Sequence, residues 1–310
     1  MALFRPSVTF AEIINQWWLE HKVQVLDTTA RKKEEEMRVH ILPALGSLKL
    51  SAITPQVLQG YISDKLAHGS PKRHPGGLAH STVRDHFKII KPAIDWAISK
   101  GYITDNPAAK VKLPRRVRHE VQTFTPLEVA SLIMAARPRW MGDLITLAYR
   151  TGMRRGELFG LKWEDVDFDG EYLLVRRTIS AKAPKERLIH LPKTERSRRR
   201  IDLDRLSLEM LNRRRNVATT EWVFEGRGGH LLSPWIVTKY MAMACKKTGI
   251  PHRCFHTLRH THATLLLSKG VNPKVVQERL GHSTLEMTLG TYGHVLPTMQ
   301  QAAIQVLNEM

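Results

Sequence analysis

Between Ala108 and Gln122 the chain loses its apolar periodicity and carries Lys110, Lys112, Arg115, Arg116 and Arg118 around Pro114. A strong helix start stands on either side. Thr9 precedes Glu12 by three positions, and Thr125-Pro126-Leu127-Glu128 adds a proline at the first helical position. In both, a threonine hydroxyl can accept from the third helical amide while the glutamate reaches back, which is the capping box. The break therefore divides the 310 residues into a first unit, 1–107, a basic linker, 108–122, and a second unit, 123–310. Each unit is long enough to bury a core.

The first unit reads as four helices. Phe10, Ile13, Ile14, Trp17 and Trp18 make one apolar stripe, and the two tryptophans read as core. A Lys- and Glu-rich helix from about Thr29 carries Met37, Val39 and Ile41, and Pro43 and Gly46 stop it. Thr54-Pro55 opens a third helix, burying Val57, Leu58, Tyr61, Ile62 and Leu66. Residues 68–80 lack periodicity and read as a loop, whose Lys72 and Arg73 are candidate phosphate contacts. Ser81 is positioned to cap a fourth helix with Val83, Phe87, Ile90, Ile94 and Ala97 on one side. Such a bundle, with no nucleotide loop or acidic pair, is suited to binding rather than chemistry.

In the second unit, Met141 to Tyr149 reads as a core helix delivering the chain to Thr151-Gly152, where glycine permits a tight turn. Glu171 to Thr178, Arg187 to Leu191 and Arg200 to Leu203 are β-rich and predict a small antiparallel sheet. Eight residues of 181–200 are basic. Further helices are expected near 206–211, 237–247, 256–267 and from Asn272-Pro273 to Gly281, with Ser283 and Glu286 boxing the last start before Tyr292. The fold class is thus mostly α with a small antiparallel sheet. Met299, Ala302, Ala303, Val306 and Leu307 form an apolar tail stripe that can dock on its own unit or on a neighbouring subunit.

The formal net charge of +19 calls for a polyanionic partner. Lys72, Arg73, Lys110, Lys112, Arg115, Arg116, Arg196, Arg198 and Arg199 are the candidate DNA contacts, since phosphate neutralisation by such side chains supplies sequence-independent affinity. The two cysteines form neither a disulfide scaffold nor a metal-type pair. The opening residues do not make a signal peptide, and no apolar stretch approaches a membrane span, so a cytoplasmic protein is expected.

The chemistry concentrates in a few clusters. His256 and Arg259 lie one helical turn apart, so both can face one ligand. Arg154 and Glu157 share the same spacing a hundred residues earlier, and His282 and Tyr292 follow later. Phosphoryl transfer between oxygens builds negative charge on the non-bridging oxygens, and guanidinium matches it with planar, paired donors. Arg154 and Arg259 suit that task. His256 and His282 can donate or accept protons near neutral pH. Tyr292 is a weak nucleophile at its free pKa of about 10. Surrounding positive charge is expected to favour its phenolate. A lysine on the basic hairpin can protonate the departing oxygen, and Lys193 is the candidate. Glu157 is better placed to brace an arginine than to bind metal. His256 and His260 form an i, i+4 pair that also fits half a zinc site, but no adjacent ligand completes it. Neither metal nor cofactor is expected.

These stretches resemble the tyrosine recombinases, or phage integrases. Thr151-Gly152-Met153-Arg154-Arg155-Gly156-Glu157-Leu158 is similar to their first arginine box. Pro192-Lys193-Thr194 with Ser197-Arg198-Arg199 is similar to their lysine hairpin, while Lys182-Ala183-Pro184-Lys185 resembles that of chromosome-dimer-resolving members. His256-Thr257-Leu258-Arg259-His260-Thr261, Leu280-Gly281-His282-Ser283 and Thr291-Tyr292-Gly293-His294 resemble the remaining boxes. Pro43-Ala44-Leu45-Gly46 and Asn106-Pro107-Ala108 resemble the helical core-site-binding domain.

The resemblance implies a C-shaped clamp on DNA, with a core-site-binding domain and a catalytic domain. It implies strand cleavage through a 3′-phosphotyrosine, with Arg154, Lys193, His256, Arg259, His282 and Tyr292 catalytic and Glu157 as acidic companion. It further implies double-stranded attachment sites as substrate, a tetramer on paired sites, bending or directionality factors as possible accessories, and packing of residues 295–310 on a neighbour. So little sequence precedes the first unit that a separate arm-site-binding domain is not expected. A catalytically silent DNA-binding relative and a tyrosine-linked topoisomerase are the competing readings.

Overall fold

The computed structural model describes residues 8–69, 76–115, 122–181, 187–190 and 198–292, together with 304, 307 and 308. Lys72, Arg73, Arg116, Lys182, Lys193 and Arg196 lie outside the described residues. The chain divides into two compact units, 1–119 and 120–310.

The first unit is built from α1 (Phe10–His21), α2 (Asp27–Glu36), α3 (Leu42–Leu45), α4 (Pro55–His68) and α5 (His80–Ser99). Thr9 and Glu12 form the reciprocal capping box at the start of α1. Between α2 and α3 the helix widens into a π-turn, Met37–Ile41, which turns Met37, His40 and Ile41 inward. Trp17 and Trp18 are buried among Phe10, Ile13, Ile90 and Ile94. The fourth expected helix starts one residue earlier than its supposed cap. Ala79 is the N-cap of α5 and makes no side-chain bond, so Ser81 lies inside the helix.

Residues 107–115 belong to this first unit. Ala108 is buried, and Val111 and Leu113 pack against its core. Gln59 holds the backbone of Lys112, and Arg84 donates to the Pro114 carbonyl. The basic stretch is thus tethered by its backbone, with Lys110, Lys112 and Arg115 left exposed.

The second unit contains α6 (Pro126–Ala135), α7 (Arg139–Thr151), α8 (Arg155–Phe159), α9 (Arg205–Arg215), α10 (Pro234–Thr248), α11 (Thr257–Ser268), α12 (Pro273–Leu280) and α13 (Leu285–Tyr292). Its strands are β1 (Val166–Asp167), β2 (Tyr172–Val175), β3 (Thr178–Ala181), β4 (Arg187–His190) and β5 (Arg199–Asp202). They form two antiparallel sheets, β1-β2-β5 and β3-β4. The β-rich stretch 171–178 is broken at Arg176 and Arg177, where Arg177 turns to pair with Asp165 and Glu164. At α13 the capping oxygen is that of Thr284, which accepts from the Met287 amide, rather than that of Ser283. Leu307, on the expected tail stripe, is exposed, as is Ile304 nearby, while the rest of that stripe lies outside the described residues. No described helix is long and apolar enough to cross a membrane.

Helix α7 is central. Met141, Leu144, Ile145, Leu147 and Ala148 are buried along it, against α6 and α11. It ends at Gly152, in the left-handed conformation with φ 65°. A Cβ there would stand 2.6 Å from His262 Cδ2 and 2.7 Å from Leu280 Cδ2. Gly152→Ala combines a left-handed alanine with overpacking, so it should destabilise the second unit by about 2–4 kcal/mol. Denaturant unfolding checks this; a midpoint equal to wild type would contradict the packing described.

Candidate active site

The site forms where two helix C-termini meet. The last carbonyls of a helix have no partner within it and carry the negative end of its dipole. At the end of α7, the Tyr149 carbonyl accepts from His262 Nδ1 at 2.8 Å. The Arg150 carbonyl accepts from Arg279 Nη2 at 3.0 Å, and the Gly152 carbonyl from Arg259 Nη1 at 2.7 Å. At the end of α12, three consecutive carbonyls each receive a different arginine. Arg199 Nε donates to Arg279 O at 2.7 Å, Arg259 Nη2 to Leu280 O at 2.8 Å, and Arg154 Nη2 to Gly281 O at 3.0 Å. Arg259, only 3 % exposed, therefore links both helix ends with one guanidinium.

Glu157 organises two of these arginines. It takes Arg154 Nη1 at 2.8 Å through one oxygen and the Arg154 amide at 2.8 Å through the other. Arg199 meets it with both terminal nitrogens, at 3.0 and 2.8 Å. Burial acts to raise the Glu157 carboxyl, but the Arg199 bonds and the charges of Arg199 and Arg154 outweigh it, holding the group at about 2. Three guanidiniums thus gather about one carboxylate, leaving an excess of positive charge.

His282 directly follows Gly281. Its Nδ1 lies 2.9 Å from Thr288 Oγ1, and Gln277 holds its backbone at both the amide and the carbonyl. At the start of α11, His256, its N-cap, and His260 stand edge to face, 4.8 Å between ring centres. His260 Nδ1 is 2.6 Å from the Tyr292 hydroxyl. A cavity of about 430 Å³, lined by Arg155, Gly156, Met241, Cys254, Phe255 and His256, opens beside these rings.

The sequence pattern of the phage integrase family matches residues 122–299, and that of the phage integrase N-terminal SAM-like domain matches residues 9–66. The chain belongs to the phage integrase family. It is 28 % identical to a XerC-like tyrosine recombinase of Caldanaerobacter subterraneus subsp. tengcongensis, over 98 % of this chain and 84 % of the relative. A tyrosine recombinase of Thermosipho africanus is 31 % identical over 73 % of this chain and 76 % of its own. The fold matches the Tn1549 transposon integrase, solved in complex with circular intermediate DNA, with a TM-score of 0.83 at 21 % identity, covering 97 % of this chain and all of that one. It also matches a lambda integrase tetramer bound to a Holliday junction, with a TM-score of 0.69 at 22 % identity, covering 90 % and 78 %.

In this phage integrase the structure gathers Arg154, Glu157, His256, Arg259, His282 and Tyr292 in the second unit. Two further residues join them. The sequence offers His260 only as half of a zinc pair, although its i, i+4 relation to His256 puts both rings on one face. Among the described residues no three His, Cys, Asp or Glu side chains form a metal set. Arg199, a DNA contact by its place in the basic run, is instead 6 % exposed along its side chain and engaged by Glu157. Strand alternation is the signal that finds it: Arg199 shares a face of β5 with buried Ile201, while Arg200 turns outward. Arg198 is exposed, as a DNA contact requires.

The electrostatics differ from expectation at Tyr292. Its ring is 1 % exposed, and burial pushes the phenol up to about 12, although the Arg259 charge pulls the other way. The DNA-free site therefore holds a protonated phenol. Burial also lowers Arg259 to about 9, aided by the Arg154 charge, so it stays charged at neutral pH. Burial, reinforced by neighbouring positive charge, brings His256 and His282 from 6.5 to about 4 and His262 to about 3. These rings are neutral in the fold near pH 7. Below about pH 6.5 the unfolded chain binds protons that the fold refuses, so stability falls with acidification through about pH 4. Denaturant midpoints of the whole chain should decline across that window; a flat profile would contradict neutral, buried imidazoles.

Proposed function

We propose that in this tyrosine-type site-specific recombinase Tyr292 attacks a scissile DNA phosphate held by Arg154 and Arg259. The Tyr292 Oη–phosphorus bond forms as the phosphorus–O5′ bond breaks, giving a 3′-phosphotyrosine and a free 5′-hydroxyl. The phenolic proton leaves to a neutral acceptor at the site, for which His256 and His282 are the candidates. Lys193 protonates the departing O5′, a role that rests on the sequence resemblance alone. Attack by a 5′-hydroxyl from a second strand reverses these bonds and completes exchange. Glu157 positions Arg154.

One observation carries this reading. Arg154 and Arg259, 105 positions apart, donate to the adjacent carbonyls of Gly281 and Leu280, immediately before His282. The Tyr292 hydroxyl meets the residue next to Arg259. Arginine presents five donors, so each of these guanidiniums, having committed two nitrogens, keeps further N–H groups for phosphate. Their backbone contacts fix them before substrate arrives, which is how preorganised donors stabilise developing charge.

The substrate under this reading is double-stranded DNA at paired attachment sites of a phage or other mobile element, bound by a tetramer. The lambda tetramer on a Holliday junction and the transposon integrase on circular intermediate DNA support it by fold likeness. Lys110, Lys112, Arg115 and Arg198, all exposed, are proposed backbone contacts. Accessory bending or directionality factors complete the proposed assembly.

A nicked suicide duplex carrying the exchange site tests the chemistry. Wild type should form a covalent adduct and Tyr292→Phe none. Arg259→Ala should slow adduct formation by about 100- to 1,000-fold, the cost of losing one preorganised donor to a transition-state oxyanion. No wild-type adduct on its proper site would overturn the proposal, and relaxation of plasmid without strand exchange would favour the topoisomerase reading. The net charge of +19 also predicts that log affinity for DNA falls linearly with log salt. An affinity unchanged between 50 and 200 mM salt would contradict a phosphate-dominated interface.

A further inference from the structure

We infer that Arg199 is a positioning residue for strand cleavage, acting on the scissile phosphate through Glu157 and Arg154. The inference rests on the proposed role of Arg154 as phosphate clamp. Arg199 sits at the start of β5, where pairing with Val175 of β2 fixes its backbone. Its side chain runs inward on the face of Ile201 and is almost fully buried. There it makes the two-pronged bond to Glu157 and the Nε bond to Arg279 O already described.

This arrangement differs from a generic ion pair in two respects. First, both Glu157 oxygens are shared. One bridges Arg154 Nη1 and Arg199 Nη1, and the other bridges the Arg154 amide and Arg199 Nη2. The rotamer of Glu157 is therefore set from both sides, and with it the plane in which Arg154 lies. Second, Arg199 reaches the last turn of α12 that Arg154 and Arg259 also cap. A Cβ on Gly281 would stand 3.0 Å from Arg199 Nη1, so the turn before His282 is packed directly on this guanidinium. Arg199 thus fixes both the carboxylate that aims Arg154 and the carbonyl row against which Arg154 and Arg259 rest.

A lysine cannot reproduce the planar fork, so Arg199→Lys should recover only part of the function. Displacement of an aligned donor by about 1 Å can cost about 100-fold in rate, and Arg199→Ala should lose about that much in adduct formation. A merely structural arginine would lose activity equally on every substrate. A residue acting through Arg154 would not, because Arg154 answers the phosphate charge. Replacing one non-bridging oxygen of the scissile phosphate by methyl removes that charge.

The experiment measures single-turnover adduct formation on matched phosphodiester and methylphosphonate duplexes, with both methylphosphonate diastereomers tested. Wild type, Arg154→Ala, Arg199→Ala, Arg199→Lys, Glu157→Gln and the Glu157→Gln/Arg199→Ala double variant are compared, with folding and DNA affinity recorded for each. The expected result is that the Arg199→Ala deficit shrinks at least tenfold on methylphosphonate, in parallel with that of Arg154→Ala. The double variant should be slower by much less than the product of the two single deficits, because Arg199 works in part through Glu157. If Arg199→Ala does not fold, Arg199→Lys and the double variant, which lacks the orphaned carboxylate, carry the same comparison. Wild-type rates for folded Arg199 variants, or deficits equal on both substrates, would overturn the inference. Absence of a wild-type adduct would instead overturn the proposed function, and the inference with it.

Discussion

Arg259 is the group on which the second unit depends. A guanidinium almost wholly removed from water costs several kcal/mol unless its donors are satisfied. Here the satisfaction comes from two helix ends rather than from a carboxylate bonded to it. The Gly152 and Leu280 carbonyls are orphan acceptors at the negative poles of α7 and α12, so the cation and the two helix termini neutralise one another. The arrangement is only possible because Gly152 and Gly281 both adopt left-handed conformations, which stop the helices where their carbonyls can be reached. Remove the arginine and two helix ends are left facing each other with unpaired carbonyls. The positions of α7, α11 and α12 are thereby tied to one side chain.

The same contacts leave the site electrically unfinished. Arg154, Arg199 and Arg259 surround a single carboxylate, Glu157. Carbonyl dipoles temper their mutual repulsion without cancelling their charge. The fold keeps neutral histidines there and resists adding protons to them, which limits the positive excess to the arginines. Under the proposed function a phosphodiester completes this balance, bringing both the charge and the oxygens that the remaining N–H groups can meet.

Much of this was legible in the chain, and the exceptions have physical causes. Capping boxes at Thr9 and Thr125, the apolar stripe of α7 and the glycine stops at 152 and 281 are local signals, and the helices follow them. The spacings of Arg154 with Glu157 and of His256 with Arg259 each mark one helical face, so the groups within each pair were readable together. What brings the pairs together is the capping of one helix by side chains of another, which no local window contains. Arg199 shows the difference. In a run of three arginines composition cannot choose among them; the pleat of β5 can, because Ile201 must face the core. The caps expected at Ser81 and Ser283 failed because a serine hydroxyl near a helix start is only a candidate. The chain entered α5 from Ala79, and Thr284 sat where the oxygen was needed at α13.

Tyr292 reverses the simplest electrostatic argument and clarifies the chemistry in doing so. Nearby arginine charge ought to ease its ionisation, and Arg259 does act in that direction. Burial acts more strongly, since transferring a phenolate out of water costs more than a partly shared guanidinium returns. The hydroxyl also bonds to His260, a ring that burial keeps neutral. A nucleophile so placed is weak in the DNA-free chain and is not exposed to solvent. Under the proposed function, strengthening it requires a change in its surroundings: the hydroxyl exchanges His260 for the phosphate held by the arginines, and its proton passes to an acceptor as the phosphorus bond forms. Only residues 281–284 separate α12 from α13, so the helix that carries Tyr292 begins just after the row of carbonyls that Arg154, Arg199 and Arg259 cap.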